Sequence, residues 1–77
     1  MRLLIAEDEQ ELANALTAIL KHNNYSVDTV YDGKDALSYL QTGLYDAAVL
    51  DIMMPKMDGL SVLKQTRKEG CSIPIIM

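Results

Sequence analysis

The chain has no tryptophan and no phenylalanine, and four tyrosines supply all of its Phe, Trp and Tyr content. A core built from it is therefore aliphatic, and over 77 residues it can close around one small domain with little margin. A single cysteine, Cys71, excludes an internal disulfide. Placed between a turn glycine and an apolar run, it reads as a small packing residue rather than a nucleophile. Seven basic residues against eleven acidic ones leave a net charge of −4, and the basic residues are scattered. That balance argues against direct nucleic-acid contact, which needs a basic patch facing phosphates. No apolar run approaches a membrane span, and the apolar tetrapeptide after Met1-Arg2 is too short for a signal-peptide core. A cytoplasmic chain with no membrane attachment is expected. There is no Gly-rich phosphate loop followed by Lys-Ser or Lys-Thr, which disfavours an NTPase. With no repeat, linker or low-complexity stretch, residues 1–77 are expected to form one domain without an internal boundary.

What the chain does have is a regular alternation of apolar strands and amphipathic helices. Leu3-Leu4-Ile5-Ala6 is an uninterrupted apolar run stopped by Glu7-Asp8-Glu9, the pattern of a buried parallel strand ending in acids. From about Glu9 to His22 the residues Leu12, Ala15, Leu16, Ile19 and Leu20 recur at helical spacing, with acids in the first turn and Lys21 and His22 in the last. Asn23-Asn24 breaks this helix, and Tyr25 to Tyr31 has the composition of an edge strand. A second helix is expected from Gly33 to about Gln41, with Asp32 as N-cap, Ala36, Leu37 and Leu40 inward and Gly43 as its stop. The strand from about Asp46 to Asp51 follows, then a loop through Pro55 and Asp58-Gly59. A third helix from about Gly59 to Lys68 turns Leu60, Leu63 and Thr66 inward and is stopped by Gly70. Ile73-Pro74-Ile75-Ile76-Met77 begins a fourth strand, with Pro74 tolerable at its start. The order βαβαβαβ implies an α/β fold with an open parallel sheet.

Asp51 is the residue around which the chemistry gathers. In open parallel sheets ligands sit at the carboxyl ends of the strands, where Asp51 falls. If the first and third strands are neighbours, Glu7, Asp8 and Asp51 converge. Three such carboxylates repel one another unless a pKa rises or a divalent cation neutralises them. Oxygen ligands without Cys or a nearby His favour Mg2+, with Mn2+ as a substitute. Beside such a cation Asp51 could act as a carboxylate nucleophile toward a phosphoryl group. Plainer readings compete: strand-end acids are common as solvated loop residues, and Glu9 and Glu11 read as the anionic start of a helix. Asp58 before Gly59 reads as a helix cap, His22 as a surface residue at a helix end, and Met53, Met54 and Met57 as gap-filling or partner-facing side chains.

The residues Ala6-Glu7-Asp8-Glu9, Leu50-Asp51-Ile52-Met53-Met54-Pro55, Met57-Asp58-Gly59 and Ile73-Pro74-Ile75-Ile76 together closely resemble the receiver domain of bacterial two-component response regulators, most of all the transcription-factor type. The resemblance covers the whole chain. It implies a flavodoxin-like sheet in which Asp51 accepts phosphate from the phosphohistidine of a sensor histidine kinase. Mg2+ is then held by Asp8, by Asp51, by the Met53 backbone carbonyl and by Glu7, through water or directly. It implies a phosphoacceptor rather than a turnover enzyme.

The family pattern continues past the fourth strand with a switch Ser or Thr, a fifth strand ending in a phosphate-binding Lys, and a last helix. The 77 residues stop before these, so the expected fold is an incomplete receiver of strand order 2-1-3-4, lacking the last helix-strand-helix portion. Truncation is expected to slow phosphotransfer and to bare part of one sheet face. An alternative function is that of a self-associating structural fragment, a homodimer or higher oligomer paired or swapped through the exposed fourth-strand edge. A phosphatase of the haloacid-dehalogenase kind also uses a strand-end Asp, but it wants a second acid two residues on, where this chain has Met53.

Overall fold

Alternation along the first strand decides how the layers form. In the computed structural model, which describes residues 1–77, β1 (Arg2–Ala6) turns Leu4 and Ala6 toward one core cluster and Leu3 and Ile5 toward the other. All four are buried, as a central strand covered on both faces requires. The chain continues as α1 (Gln10–His22), β2 (Ser26–Val30), α2 (Gly33–Leu40), β3 (Ala47–Leu50), α3 (Gly59–Lys68) and β4 (Ile75–Ile76). The four strands form one parallel sheet of order β2-β1-β3-β4, the order expected. Pro74 lies just before β4 and its carbonyl still accepts the Ala48 N–H at 3.0 Å.

The larger core cluster joins Leu4, Ala6, Ala48 and Leu50 of the sheet to Ala36 and Leu40 of α2 and Val62 of α3. The smaller one joins Leu3, Ile5 and Val27 to Leu16 and Leu20 of α1. The structure shows which part of the α1 stripe meets the sheet, and on α3 it corrects the expectation that Leu60 turns inward. On α1 the helix presents Leu16, Leu20 and the buried Ala13 to the sheet, while Leu12, Ala15 and Ile19 are exposed. The apolar arc of α1 is wider than the sheet surface it meets. On α3 the fully buried residues are Val62 and Thr66, one turn apart on one face, and Leu60 points outward at 47% exposure. The Thr66 hydroxyl donates to the Leu63 carbonyl at 2.9 Å, so burying it leaves no unpaired polar group.

The ends of the elements follow local chemistry. Asp32 caps α2, its Oδ1 accepting the Asp35 N–H at 2.8 Å, and Asp58 caps α3, its Oδ1 accepting the Ser61 N–H at 2.8 Å. Gly43 and Gly70 take left-handed φ of 75° and 88° beyond α2 and α3. At the amino-terminal edge of the sheet Tyr45 is buried, and its hydroxyl donates to Asp28 Oδ2 at 2.5 Å. The Arg2 guanidinium donates to the same oxygen at 2.9 Å and lies 5.6 Å from the centre of the Tyr45 ring. Burial, then the neighbouring Asp28, push the Tyr45 phenol up to about 12. The Tyr45 hydroxyl and then Arg2 hold the Asp28 carboxyl below its usual range.

On the α1 side, Leu20 of α1 together with Ala47, Val49 and Ile76 lines an open apolar depression of about 170 Å³. Ile76 is 67% exposed. Truncating the fully buried Leu4 to Ala is expected to cost about 2–5 kcal/mol. Ile19→Ala on the uncovered arc of α1 is expected to stay within about 0.5 kcal/mol. Urea denaturation of the two variants measures the contrast, and equal losses would contradict this account of the core.

Candidate functional site

The strand pairing carries two acidic segments to the same place. β1 ends at Ala6 and β3 at Leu50, and these residues are partners across the parallel ladder. Both ladders of β1 run one step further: toward β3 the Asp51 N–H donates to the Ala6 carbonyl at 2.9 Å, and toward β2 the Glu7 N–H donates to the Val30 carbonyl at 3.1 Å. Asp51, Glu7 and Asp8 therefore leave the sheet side by side at its carboxyl edge. One carboxylate oxygen from each lies within 4.8 Å of the other two. Glu7 and Asp51 are half-buried and Asp8 is exposed. Burial, and the proximity of Asp8 and Asp51, push the Glu7 carboxyl up, although the Glu9 N–H donates to its Oε2 at 3.2 Å.

This donor set consists of hard oxygens alone. An octahedral cation with bonds of about 2.1 Å places its ligand oxygens about 3–4 Å apart, which the spread of the cluster accommodates. The residues fit a small, hard divalent cation, and the residual negative charge of the cluster suits one.

The loop after β3 forms the other wall. An open cleft of about 460 Å³ runs between Asp8, Met53, Met54, Pro55 and Asp58. Met54 is buried against the α2–α3 core and fixes the loop from below, Met57 is partly buried, and Met53 is 80% exposed on the rim. The loop closes on itself where the Gly59 N–H donates to the Ile52 carbonyl at 2.7 Å. The Asp51 carbonyl packs so closely on Gly59 that a Cβ there would collide with it. Any larger residue at Gly59 would displace the backbone of Asp51 itself.

Glu7, Asp8 and Asp51 are thus brought together as expected, and Met53 borders the same cleft. Asp58 also borders the cleft, but both its oxygens are engaged by Ser61 as a cap. Sequence reading missed the contacts of the loop with α2. The Gly33 N–H donates to the Pro55 carbonyl at 3.3 Å, and the Lys56 ammonium lies 3.5 Å from Asp32 Oδ2. The one available signal was Asp32-Gly33 itself, which local spacing explains fully as a turn and a cap.

An open parallel α/β sheet of order 2-1-3-4, with an acidic pocket where its central strands end, defines a flavodoxin-like receiver fold. Residues 3–77 match the model of the response regulator receiver domain, and the chain belongs to that family. It is 55% identical over 76 residues to the transcriptional regulatory protein DltR of Streptococcus agalactiae, covering 99% of this chain and 34% of that protein. It is 48% identical over 77 residues to the transcriptional regulatory protein TctD of Salmonella typhimurium, again covering 34% of the relative. The chain thus spans about a third of the length of the curated relatives it matches. Among solved structures, the Francisella response regulator 1452 receiver domain superposes with a TM-score of 0.93 at 35% identity, over 96% of this chain and 61% of that one. The response regulator TrrA of Thermotoga maritima, solved in complex with Mg2+-BeF, gives 0.92 at 36% identity over 99% of this chain and 66% of that one.

Three crowded carboxylates should make the metal-free pocket a destabilising feature. Asp8→Asn is expected to raise the urea midpoint at neutral pH and low ionic strength, with the gain shrinking in 1 M salt as the repulsion is screened. An unchanged midpoint at low salt would show that the three charges do not oppose folding.

Proposed function

We propose that residues 1–77 work as one receiver unit of a two-component response regulator, with Asp51 as the phosphoacceptor for a sensor histidine kinase. The observation that carries this reading is the convergence of Glu7, Asp8 and Asp51 from two adjacent strand ends. Membership of the receiver family adds to it. In this reading Asp8, Asp51, the Met53 backbone carbonyl and Glu7, directly or through water, hold Mg2+, with Mn2+ as a substitute. The Mg2+-BeF complex of the related TrrA supports that choice. The cation, when bound, offsets the charge that develops on the transferring phosphoryl oxygens.

The chain's own part is to aim a carboxylate. Asp51 is held by its N–H bond to Ala6 and by the packing of its carbonyl on Gly59, and its carboxylate lies within 4.8 Å of those of Glu7 and Asp8, the last of which borders the open cleft. An Asp51 carboxylate oxygen attacks the phosphorus of a phosphohistidine in line. The new O–P bond forms as the P–N bond breaks, and the electron pair stays on the departing imidazole nitrogen, which takes up a proton. The product is an aspartyl phosphate, so the chain serves as an acceptor rather than a turnover enzyme. Neither ion pair, Arg2–Asp28 or Lys56–Asp32, engages a member of the pocket. The relatives DltR and TctD are transcriptional regulatory proteins, which supports an output in transcription for a protein that carries this receiver. With its net charge of −4 this segment would act on DNA only indirectly, in the cytoplasm, and no helix is long and apolar enough to cross a membrane.

Intact-mass measurement after incubation with a small acyl-phosphate donor tests the reading. One added phosphoryl group is expected with Mg2+ and none in EDTA, and Asp51→Asn should abolish the adduct. An adduct that survives Asp51→Asn would overturn the assignment.

A second reading rests on the edge position of β4 and the exposure of Ile76 beside the open apolar depression. It is that the 77 residues self-associate as a homodimer or higher oligomer through the β4 edge. Light scattering over a concentration series should then show a mass that rises with concentration, and a monodisperse monomer would sink it.

A further inference from the structure

The loop that carries the Met53 carbonyl is tied to the start of α2 at three points. The first is backbone: the Gly33 N–H donates to the Pro55 carbonyl at 3.3 Å. The second is ionic: Lys56 approaches Asp32 Oδ2 at 3.5 Å while the Oδ1 of the same carboxylate accepts the Asp35 N–H at 2.8 Å. One side chain thereby joins the loop to the cap of the helix. The third is steric: the Met57 carbonyl rests on Gly33 where a Cβ would collide with it, and Met57 Cβ would lie 2.9 Å away. Gly33 is buried, so neither partner has room to yield.

The loop's own conformation calls for such support. Lys56 has φ 68°, in the left-handed region that L side chains seldom adopt, and no local hydrogen bond of its side chain explains that choice. With Lys56 in this conformation, the Met57 N–H folds back to the Pro55 carbonyl at 2.8 Å, so that carbonyl accepts from both Met57 and Gly33. The same turn brings the ammonium to Asp32. Two residues upstream of Pro55 is Met53.

We propose that Asp32 and Gly33 are positioning residues for the pocket, holding the Pro55–Met57 turn and through it setting the place of the Met53 carbonyl. This rests on the reading of Met53 as a Mg2+ ligand given above. It adds that the affinity of the pocket for the cation depends on the amino-terminal corner of α2, a part of the fold that supplies none of the ligands. Groups that hold a ligand rather than bind the metal commonly change affinity 10–100-fold when altered.

The test uses Gly33→Ala, Asp32→Asn and, as a control on the opposite face of the sheet, Leu20→Ala. Asp32→Asn retains a cap acceptor for Asp35 while losing the charge that draws Lys56. Two readouts are taken: Mg2+ affinity by calorimetry, and amide hydrogen exchange of Met57 and Gly59 without metal. Gly33→Ala is expected to weaken Mg2+ binding about 10-fold or more and Asp32→Asn by a smaller factor, both with faster exchange at Met57 and Gly59. Leu20→Ala should lower the melting temperature without either effect. If Gly33→Ala does not fold, Asp32→Asn decides. Wild-type affinity and protection in the folded variants, or equal losses in Leu20→Ala, would overturn the proposal. A wild-type chain that binds no Mg2+ would instead overturn the metal reading, and the exchange rates would still decide whether the corner holds the loop.

Discussion

The acidic pocket depends on the parallel pairing of β1 with β3. Neither Glu7-Asp8 nor Asp51 lies in a strand, yet each is placed by the last ladder bonds of one, Asp51 through Ala6 and Glu7 through Val30. A strand advances about 3.3 Å per residue, and neighbouring strands lie about 4.8 Å apart. A one-residue slip would therefore move a carboxylate by most of the spacing that groups the three. It would also reverse which side chains face the core. The registry that buries Leu4 and Ala6 against Ala48 and Leu50 is thus the same registry that assembles the pocket.

That coupling explains why the candidate site was so legible in the sequence. An apolar run that stops at an acid occurs twice, at Ala6-Glu7-Asp8 and at Leu50-Asp51, and the alternation of elements makes the two runs parallel. The caps at Asp32 and Asp58 were equally legible, because each is decided within three residues. The exposures of Leu12, Ile19 and Leu60 were not. Periodicity gives the width of an apolar arc but not the surface available to cover it, and α1 meets less sheet than its stripe could bury. The Tyr45–Asp28–Arg2 cluster escaped for a different reason. Its members lie outside any motif and meet only because the sheet sets Arg2 at the start of β1 and Tyr45 ahead of β3 within reach of Asp28 in the middle of β2.

The pocket also shows how a repulsive arrangement is sustained. Glu7 is pushed up by its surroundings, so the cluster resists its own ionisation, but its backbone is not free to relax. Ladder bonds hold Glu7 and Asp51, Gly59 packs under the Asp51 carbonyl, Met54 anchors the loop in the core, and the α2 corner braces it from the side. Rigid supports hold a group of like charges in place, and under the proposed function little would have to reorganise when a cation or a transferring phosphoryl group arrived.

Placing the first strand at the centre of the sheet has a kinetic side. β2 follows β1 after one helix, but β3, the other neighbour of β1, arrives only after more than half the chain has been laid down. Each closure of a longer loop spends entropy before its contacts repay it, so the β1–β3 pairing belongs among the slow, non-local steps of folding. The repulsion among Glu7, Asp8 and Asp51 is thus tied to a long-range pairing and not to a local one.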